Sequence, residues 1–195
     1  MITFIGSILI SLITIFVVMD PFPSILPFLD ITHKESREVC IKCALKIVGL
    51  AGILAFFFLF TGNSILSALN IGINDFKVAG GIVLGLLGIE TVLGIEFWKG
   101  SKKHENKDSA LLLIATPLLT GPGLITSLIV LQTQFNFTVV AIALSIALIL
   151  TAILLILSLD LKKVLGEKGL MVLSKIIGLI LIAIAVSYLR TGILS

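Results

Sequence analysis

The feature that most constrains this chain is the length of its uncharged apolar stretches. Residues 109–159, a run of 51 residues, contain no charged side chain, and neither do residues 1–19 or 47–74. A helix needs about 20 residues to cross the ~30 Å hydrocarbon layer of a bilayer, so the longest stretch is sufficient for two crossings. Only 13% of the residues are charged, about half the share in an average soluble domain. The composition excludes a typical soluble enzyme, a disordered chain and a disulfide scaffold, and it predicts an all-α membrane protein.

We predict six membrane-spanning helices from these stretches. The longest stretch is divided by the polar segment 132–136, and two further apolar segments are interrupted by only a few charges. The predicted helices cover approximately residues 2–19, 43–61, 76–98, 110–131, 137–158 and 170–193.

The positions of the lysines and arginines agree with six crossings. Only Lys77 and Arg190 lie on one predicted side of the membrane. The other twelve basic residues lie on the opposite side, in or beside the loops that follow helices 1, 3 and 5: Lys34, Arg37, Lys42, Lys46, Lys99, Lys102, Lys103, Lys107, Lys162, Lys163, Lys168 and Lys175. Because cytoplasmic loops carry the excess of basic residues, we expect these loops in the cytoplasm and both termini outside. The lysines form no aromatic-rich face, so we expect no nucleic-acid partner.

The chain divides into two halves that resemble each other. The first half (1–98) and the second (110–195) are joined by a polar cytoplasmic linker (99–109), and each begins with a helix interrupted by proline. Each half also ends with a lysine-led, glycine-containing helix, and both alignments need a shift of about 100 residues. Three crossings in each half give the halves opposite orientations. We therefore predict two inverted three-helix repeats, an arrangement typical of secondary transporters.

The proline interruptions are the candidate binding site. A break in a membrane helix persists only where it faces protein or a wet cavity, and a restarted helix offers free N–H groups to an anion. Two such breaks that meet near the midplane would bind a small zwitterion, whereas ordinary kinks are the alternative. The predicted substrate-binding residues are those of the two breaks: Asp20, Pro21, Pro23, Ser24, Thr120, Gly121, Pro122, Gly123 and Thr126.

Two carboxyl groups in apolar surroundings are candidates for coupling transport to a proton. Asp20 lies at the first break, and Glu90 lies well inside predicted helix 3. An intramembrane charge is costly and should face the interior or be protonated. Asp20 could instead cap the second half of its helix, and Glu90 could pair with a lysine near the cytoplasmic face.

Small residues on the third helix of each half predict close helix packing. Ala79, Gly80 and Gly81 lie in helix 3, and Gly178 lies in helix 6. Glycine allows helix backbones to approach each other closely in lipid. Contact with a very small substrate or a sliding surface would use the same residues.

Three segments together resemble the MarC family. They are the Asp20-Pro21 break, residues 71–82 (IGINDFKVAGGI) and residues 117–126 (PLLTGPGLIT), and the resemblance covers almost the whole chain in order. It implies a six-helix protein of the prokaryotic plasma (inner) membrane, similar to SnatA-like transporters of small neutral amino acids that are coupled to protons. The family pattern after Asp-Pro has Gly-Asn where this chain has Pro23-Ser24.

The favoured function is secondary active transport of glycine or alanine, coupled to a proton or another cation. The alternatives are export of other metabolites or drugs by the same architecture, and a membrane scaffold without a substrate. We expect no enzyme activity, no cofactor and no metal site, because His33 and His104 lie in loops and no ligand cluster is evident. The lipid bilayer is the expected surrounding, and homo-oligomer formation stays open.

Overall fold

The computed structural model describes residues 4–32, 35–94 and 119–194, and this part of the chain contains seven α-helices and no strand. The last helix, Ser158–Leu194, contains a break at Gly166, whose backbone angles (φ 64°, ψ 174°) are not helical. The helices are α1 (Phe4–Met19), α2 (Phe22–Thr32), α3 (Arg37–Ala68), α4 (Ile73–Leu93), α5 (Pro122–Gln134), α6 (Phe137–Ile156) and α7 (Ser158–Leu194).

Four of these helices are long and apolar enough to cross a membrane. They are α3, α4, α6 and α7, and a fifth span results if α1 and α2, which meet at an angle of 51°, are counted as one broken span. α5 has only 13 residues, and the start of predicted helix 4 (110–118) lies outside the described residues. The all-helical class is therefore confirmed with four to five candidate spans, and the predicted sixth span is not.

Several helix ends differ from the predicted ones. Predicted helix 2 (43–61) is part of the longer α3, because a helical backbone satisfies its own hydrogen bonds beyond the hydrocarbon layer as well as inside it. The sequence predicts that helix 3 extends to residue 98, whereas α4 ends at Leu93. Gly94 has a left-handed conformation (φ 68°), and its N–H donates to Glu90 O at 2.8 Å, which is a common way to terminate a helix.

Helices α4 and α7 form a closely packed antiparallel pair. Gly88 of α4 lies against Gly178 of α7, and Asn74 at the start of α4 lies against Gly192 near the end of α7. A Cβ atom built on Gly88 would lie 3.0 Å from the Gly178 carbonyl oxygen. Only a glycine fits such an approach without a shift of the backbone, which is the mode of association expected for helices in lipid.

The pairings of the helices place four of the basic residues at two different ends of the described part of the chain. Arg37 at the start of α3 and Lys163 near the start of α7 line the same cavity. Asn74 and Gly192, which contact each other, lie close in sequence to Lys77 and Arg190. The charge grouping that the sequence predicts for these four residues is therefore present in the fold.

The outer surfaces of the helices are strongly apolar. On α4 the exposed side chains recur at helical spacing opposite the glycine face, as Ile82, Leu86, Ile89 and Leu93 show. Each of these four side chains is 40–56% exposed. Continuous apolar surface of this extent is found where a protein contacts lipid or another protein, and it fits a chain embedded in a bilayer.

Candidate functional site

The first helix break occurs at Asp20 and Pro21. α1 ends at Met19 and α2 begins at Phe22, because Pro21 has no N–H with which to continue the helical ladder. Asp20 has a positive φ of 35°, a conformation that is strained for a residue with a side chain. Its N–H still donates to the carbonyl oxygens of Phe16 and Val17, both at 3.2 Å. The chain therefore turns at Asp20 itself.

The Asp20 side chain is buried at this turn. The residue is only 9% exposed, and its Oδ1 atom has no hydrogen-bond partner among the described residues. The Thr91 side chain of α4 lies beside the carboxyl group. The Thr91 hydroxyl also lies 2.9 Å from Leu87 O, to which it donates a hydrogen bond within α4. A buried carboxyl oxygen without a partner is costly.

The second break restarts a helix at Pro122. Gly121 has an extended backbone (φ −65°, ψ 172°), and Pro122 occupies the first turn of α5, where a missing N–H has no cost. The carbonyl oxygen of Gly121 accepts the N–H groups of Leu124 and Ile125 at 3.0 and 3.3 Å. The Gly123 N–H has no backbone acceptor among the described residues. The structure therefore has a helix start at this position, as the sequence predicts.

One face of α4 contacts both breaks. Gly80 lies against Thr126 of α5, and Leu84 and Leu87 lie against Gly123. One turn further along the same face, about 6 Å beyond Leu87, Thr91 lies beside Asp20. α5 runs antiparallel to α4, so its N-terminal end points toward the turn of α4 that contacts Asp20. The arrangement brings the two helix starts toward a shared wall formed by α4.

Most of the other polar side chains at the two breaks carry hydroxyl groups. Ser24, in the first turn of α2, is fully buried, and its Oγ has no hydrogen-bond partner in the described part of the chain. Thr120 is 6% exposed, and Thr126 donates to Pro122 O at 2.9 Å. Pro21 is buried, Pro23 and Gly121 are partly buried, and Pro122 is exposed. The predicted residues thus lie at the two breaks but differ widely in their exposure.

Glu90 has a different position from the predicted one. It lies in the last turn of α4, partly exposed, four residues before Gly94, and not well inside the helix. The neighbouring Thr91, which sequence analysis did not single out, is the α4 side chain that lies beside Asp20. The signal that could have identified Thr91 is a hydroxyl residue directly after Glu90 in the apolar second half of α4.

The small residues of α4 and α7 separate into two groups. Gly80, Gly81 and Gly178 are buried at helix contacts, Gly80 against α5 and the other two between α4 and α7. Ala79 is exposed and lies outside these contacts. The helical repeat explains the difference, because adjacent residues in a helix point about 100° apart.

Comparison with known proteins gives a consistent family match. A family model described as MarC family integral membrane protein matches residues 5–195. A UPF0056 membrane protein of Aquifex aeolicus is 31% identical over 193 residues, covering 94% of this chain and 90% of the relative. A UPF0056 membrane protein of Methanocaldococcus jannaschii is 32% identical, covering 92% of each chain. The UPF0056 inner membrane protein YhgN of Escherichia coli is 27% identical, covering 96% of each. No solved structure shows a significant match.

Proposed function

Because the chain belongs to the MarC family of integral membrane proteins, we propose that it is a secondary active transporter of small neutral amino acids such as glycine and alanine, coupled to a proton or another cation. The observation that carries this proposal is the buried Asp20 carboxyl group, whose Oδ1 has no partner at a strained helix break. The prokaryotic inner membrane is its proposed location, with both termini outside.

The chemistry of the two breaks fits a zwitterion. An ammonium group can donate a hydrogen bond to the open Oδ1 atom of Asp20, while a proton or another cation neutralises the charge of this carboxyl group. A carboxylate can accept the Gly123 N–H at the start of α5, where the helix dipole also favours negative charge. The buried hydroxyl of Ser24 offers a further donor. The close packing of α4 against α5 at Gly80 and Thr126 favours a ligand with a very small side chain.

Coupling to a cation follows from the same carboxyl group. In a water-poor environment an unpaired carboxylate is strongly disfavoured, so Asp20 requires a proton or a metal cation. A carrier that moves its substrate only when such a cation neutralises Asp20 links the movement of the substrate to that of the cation in the same direction. Glu90, in the last turn of α4, is the second candidate for this role.

The contacts between helices support two inverted repeats. The shift of about 100 residues replaces α2 with α5, α3 with α6 and α4 with α7. The observed pairing of α4 with α5 then becomes that of α7 with α2, which is also observed, and the α4–α7 pair maps onto itself. Its antiparallel direction agrees with halves of opposite orientation. Rocking of one half against the other would give alternating access to the breaks.

Two other functions share part of this evidence. Export of other metabolites or drugs needs the same architecture. This alternative would be supported if the reconstituted protein transported such compounds and did not transport amino acids. A scaffold has no need of a buried unpartnered carboxyl group at a helix break. A thermal shift of the purified protein by glycine or alanine would separate a transporter from a scaffold.

Uptake by proteoliposomes tests the proposal. The purified full-length chain is reconstituted, and accumulation of labelled glycine and alanine is measured with and without an inward proton gradient and an inward sodium gradient. Protein-free liposomes and proteoliposomes without a gradient are the controls. We expect accumulation above equilibrium with one gradient only. Absence of uptake of every proteinogenic amino acid by folded, reconstituted protein would defeat the proposal.

A further inference from the structure

A cavity whose lining includes no residue of the two breaks opens where α3 and α7 begin and α6 ends. Its volume is about 190 Å³, roughly six times the ~30 Å³ that a water molecule occupies in the liquid. Arg37, Asp160 and Lys163 provide its charged lining, and Ile41, Ile156 and Leu159 provide its apolar lining. A cavity that combines cationic groups with an apolar wall fits a ligand that is itself anionic at one end and apolar at the other.

The cationic groups of the cavity are available to bind an anion. The guanidinium group of Arg37 forms no ion pair with any residue that the structure describes. Lys163 lies 3.5 Å from Asp160, but the two side chains are 77% and 62% exposed, and such surface pairs contribute little. The cavity also lies at the N-terminal ends of α3 and α7, where backbone N–H groups carry a partial positive charge.

The surroundings of the cavity are those of a membrane surface. Gly166 separates the segment Ser158–Leu165 from the rest of α7. In this segment Val164 is 83% exposed and Leu165 is 44% exposed, while Lys162 and Lys163 are close in sequence. Exposed apolar side chains beside lysines are typical of a helical segment at the boundary between headgroups and acyl chains.

We infer that this cavity binds the headgroup of an anionic phospholipid, with Arg37 and Lys163 as the cationic ligands of its phosphate. The acyl chains would lie along Ile41, Ile156 and Leu159. Basic cavities between membrane helices on the cytoplasmic side commonly hold lipid headgroups in this way, and this side carries the excess of basic residues. A lipid bound there bridges α3, α6 and α7 and stabilises their relative positions.

Native mass spectrometry of the full-length protein tests the inference. The probes are dioleoylphosphatidylglycerol, dioleoylphosphatidylcholine and inorganic phosphate, each titrated into detergent-solubilised protein. We expect retention of phosphatidylglycerol in preference to phosphatidylcholine, without competition by millimolar phosphate. Arg37→Gln and Lys163→Gln should each weaken phosphatidylglycerol binding about fivefold, and Arg37→Lys should retain most of the affinity.

Lys162 provides a matched control. Its ammonium group is 2.8 Å from Glu167 in a separate ion pair, and Lys162→Gln should leave phosphatidylglycerol binding unchanged. Circular dichroism and gel filtration verify that each variant is folded. Equal affinity for the two lipids, equal affinity of wild type and both cavity variants, or full displacement by inorganic phosphate would each overturn the inference.

Discussion

Thr126 of α5 packs directly onto Gly80 of α4, and no room is left between them for a side chain on Gly80. A Cβ atom built on Gly80 would lie 2.7 Å from Thr126 Oγ1 and closer still to its methyl group. The same face of α4 contacts Gly123 through Leu84. This contact fixes the position of the second helix break, because it holds the first turns of α5 against the wall that α4 provides.

Gly80→Ala should therefore displace α5. The added methyl group overlaps the Thr126 side chain, and overpacking of this kind costs about 1–3 kcal/mol. We expect a lower free energy of unfolding in mixed detergent micelles. Gly49→Ala is the control, because nothing lies within 4 Å of the position of its Cβ. A Gly80→Ala variant as stable as Gly49→Ala would show that α5 is not held at this contact.

Asp20→Asn should separate exchange from accumulation. An asparagine keeps the size of the side chain but cannot carry the charge that a proton or cation neutralises. We expect gradient-driven uptake of glycine by proteoliposomes to fall to the level of protein-free liposomes, while exchange of internal for external glycine persists. Asp75→Asn removes an exposed carboxylate at the start of α4 and should leave both activities intact. Normal accumulation in Asp20→Asn would exclude this residue from coupling.

Gln132 joins α5 to α3 through two hydrogen bonds. Its Nε2 atom donates to Leu59 O at 2.7 Å, and its Oε1 atom accepts Asn63 Nδ2 at 3.0 Å. Gln132→Leu should reduce the free energy of unfolding by about 0.6–2 kcal/mol, the range measured for hydrogen bonds between membrane helices.

Gln134→Leu is the matched control for this bridge, because Gln134 is exposed at the end of α5. A double-mutant cycle with Asn63→Leu isolates the coupling between the two amides. Equal stability of Gln132→Leu and Gln134→Leu would show that the bridge contributes nothing.

Local breaks were the part of the structure that the sequence predicted best. Proline cannot donate to the helical ladder, so the restarts at Phe22 and Pro122 follow from the residues themselves. α6 likewise coincides with an uninterrupted apolar segment, beginning at the predicted residue and ending two residues earlier. These features depend only on neighbouring residues along the chain.

The partners of each break could not be predicted in the same way. Thr91 lies beside Asp20, which is 71 positions earlier in the sequence. Gln132, which in the sequence indicates only a polar segment between two predicted helices, joins α5 to α3. Such relationships depend on which helix faces which and on the rotation of each about its axis. Apolar periodicity gives little help here, since lipid-facing and protein-facing surfaces of a membrane helix are both apolar.

The orientation of the chain can be tested by cysteine labelling in intact cells. Cys40 and Cys43 are buried and would first be replaced by alanine to give a background without thiols. Arg190→Cys and Asp75→Cys place exposed thiols at the end predicted to face outward, and Ser36→Cys and Lys163→Cys place them at the opposite end. We expect a membrane-impermeant maleimide to label the first pair in intact cells and the second pair only after permeabilisation, because the twelve basic residues favour the cytoplasm. Labelling of all four thiols in intact cells, or the reverse order, would contradict the predicted topology.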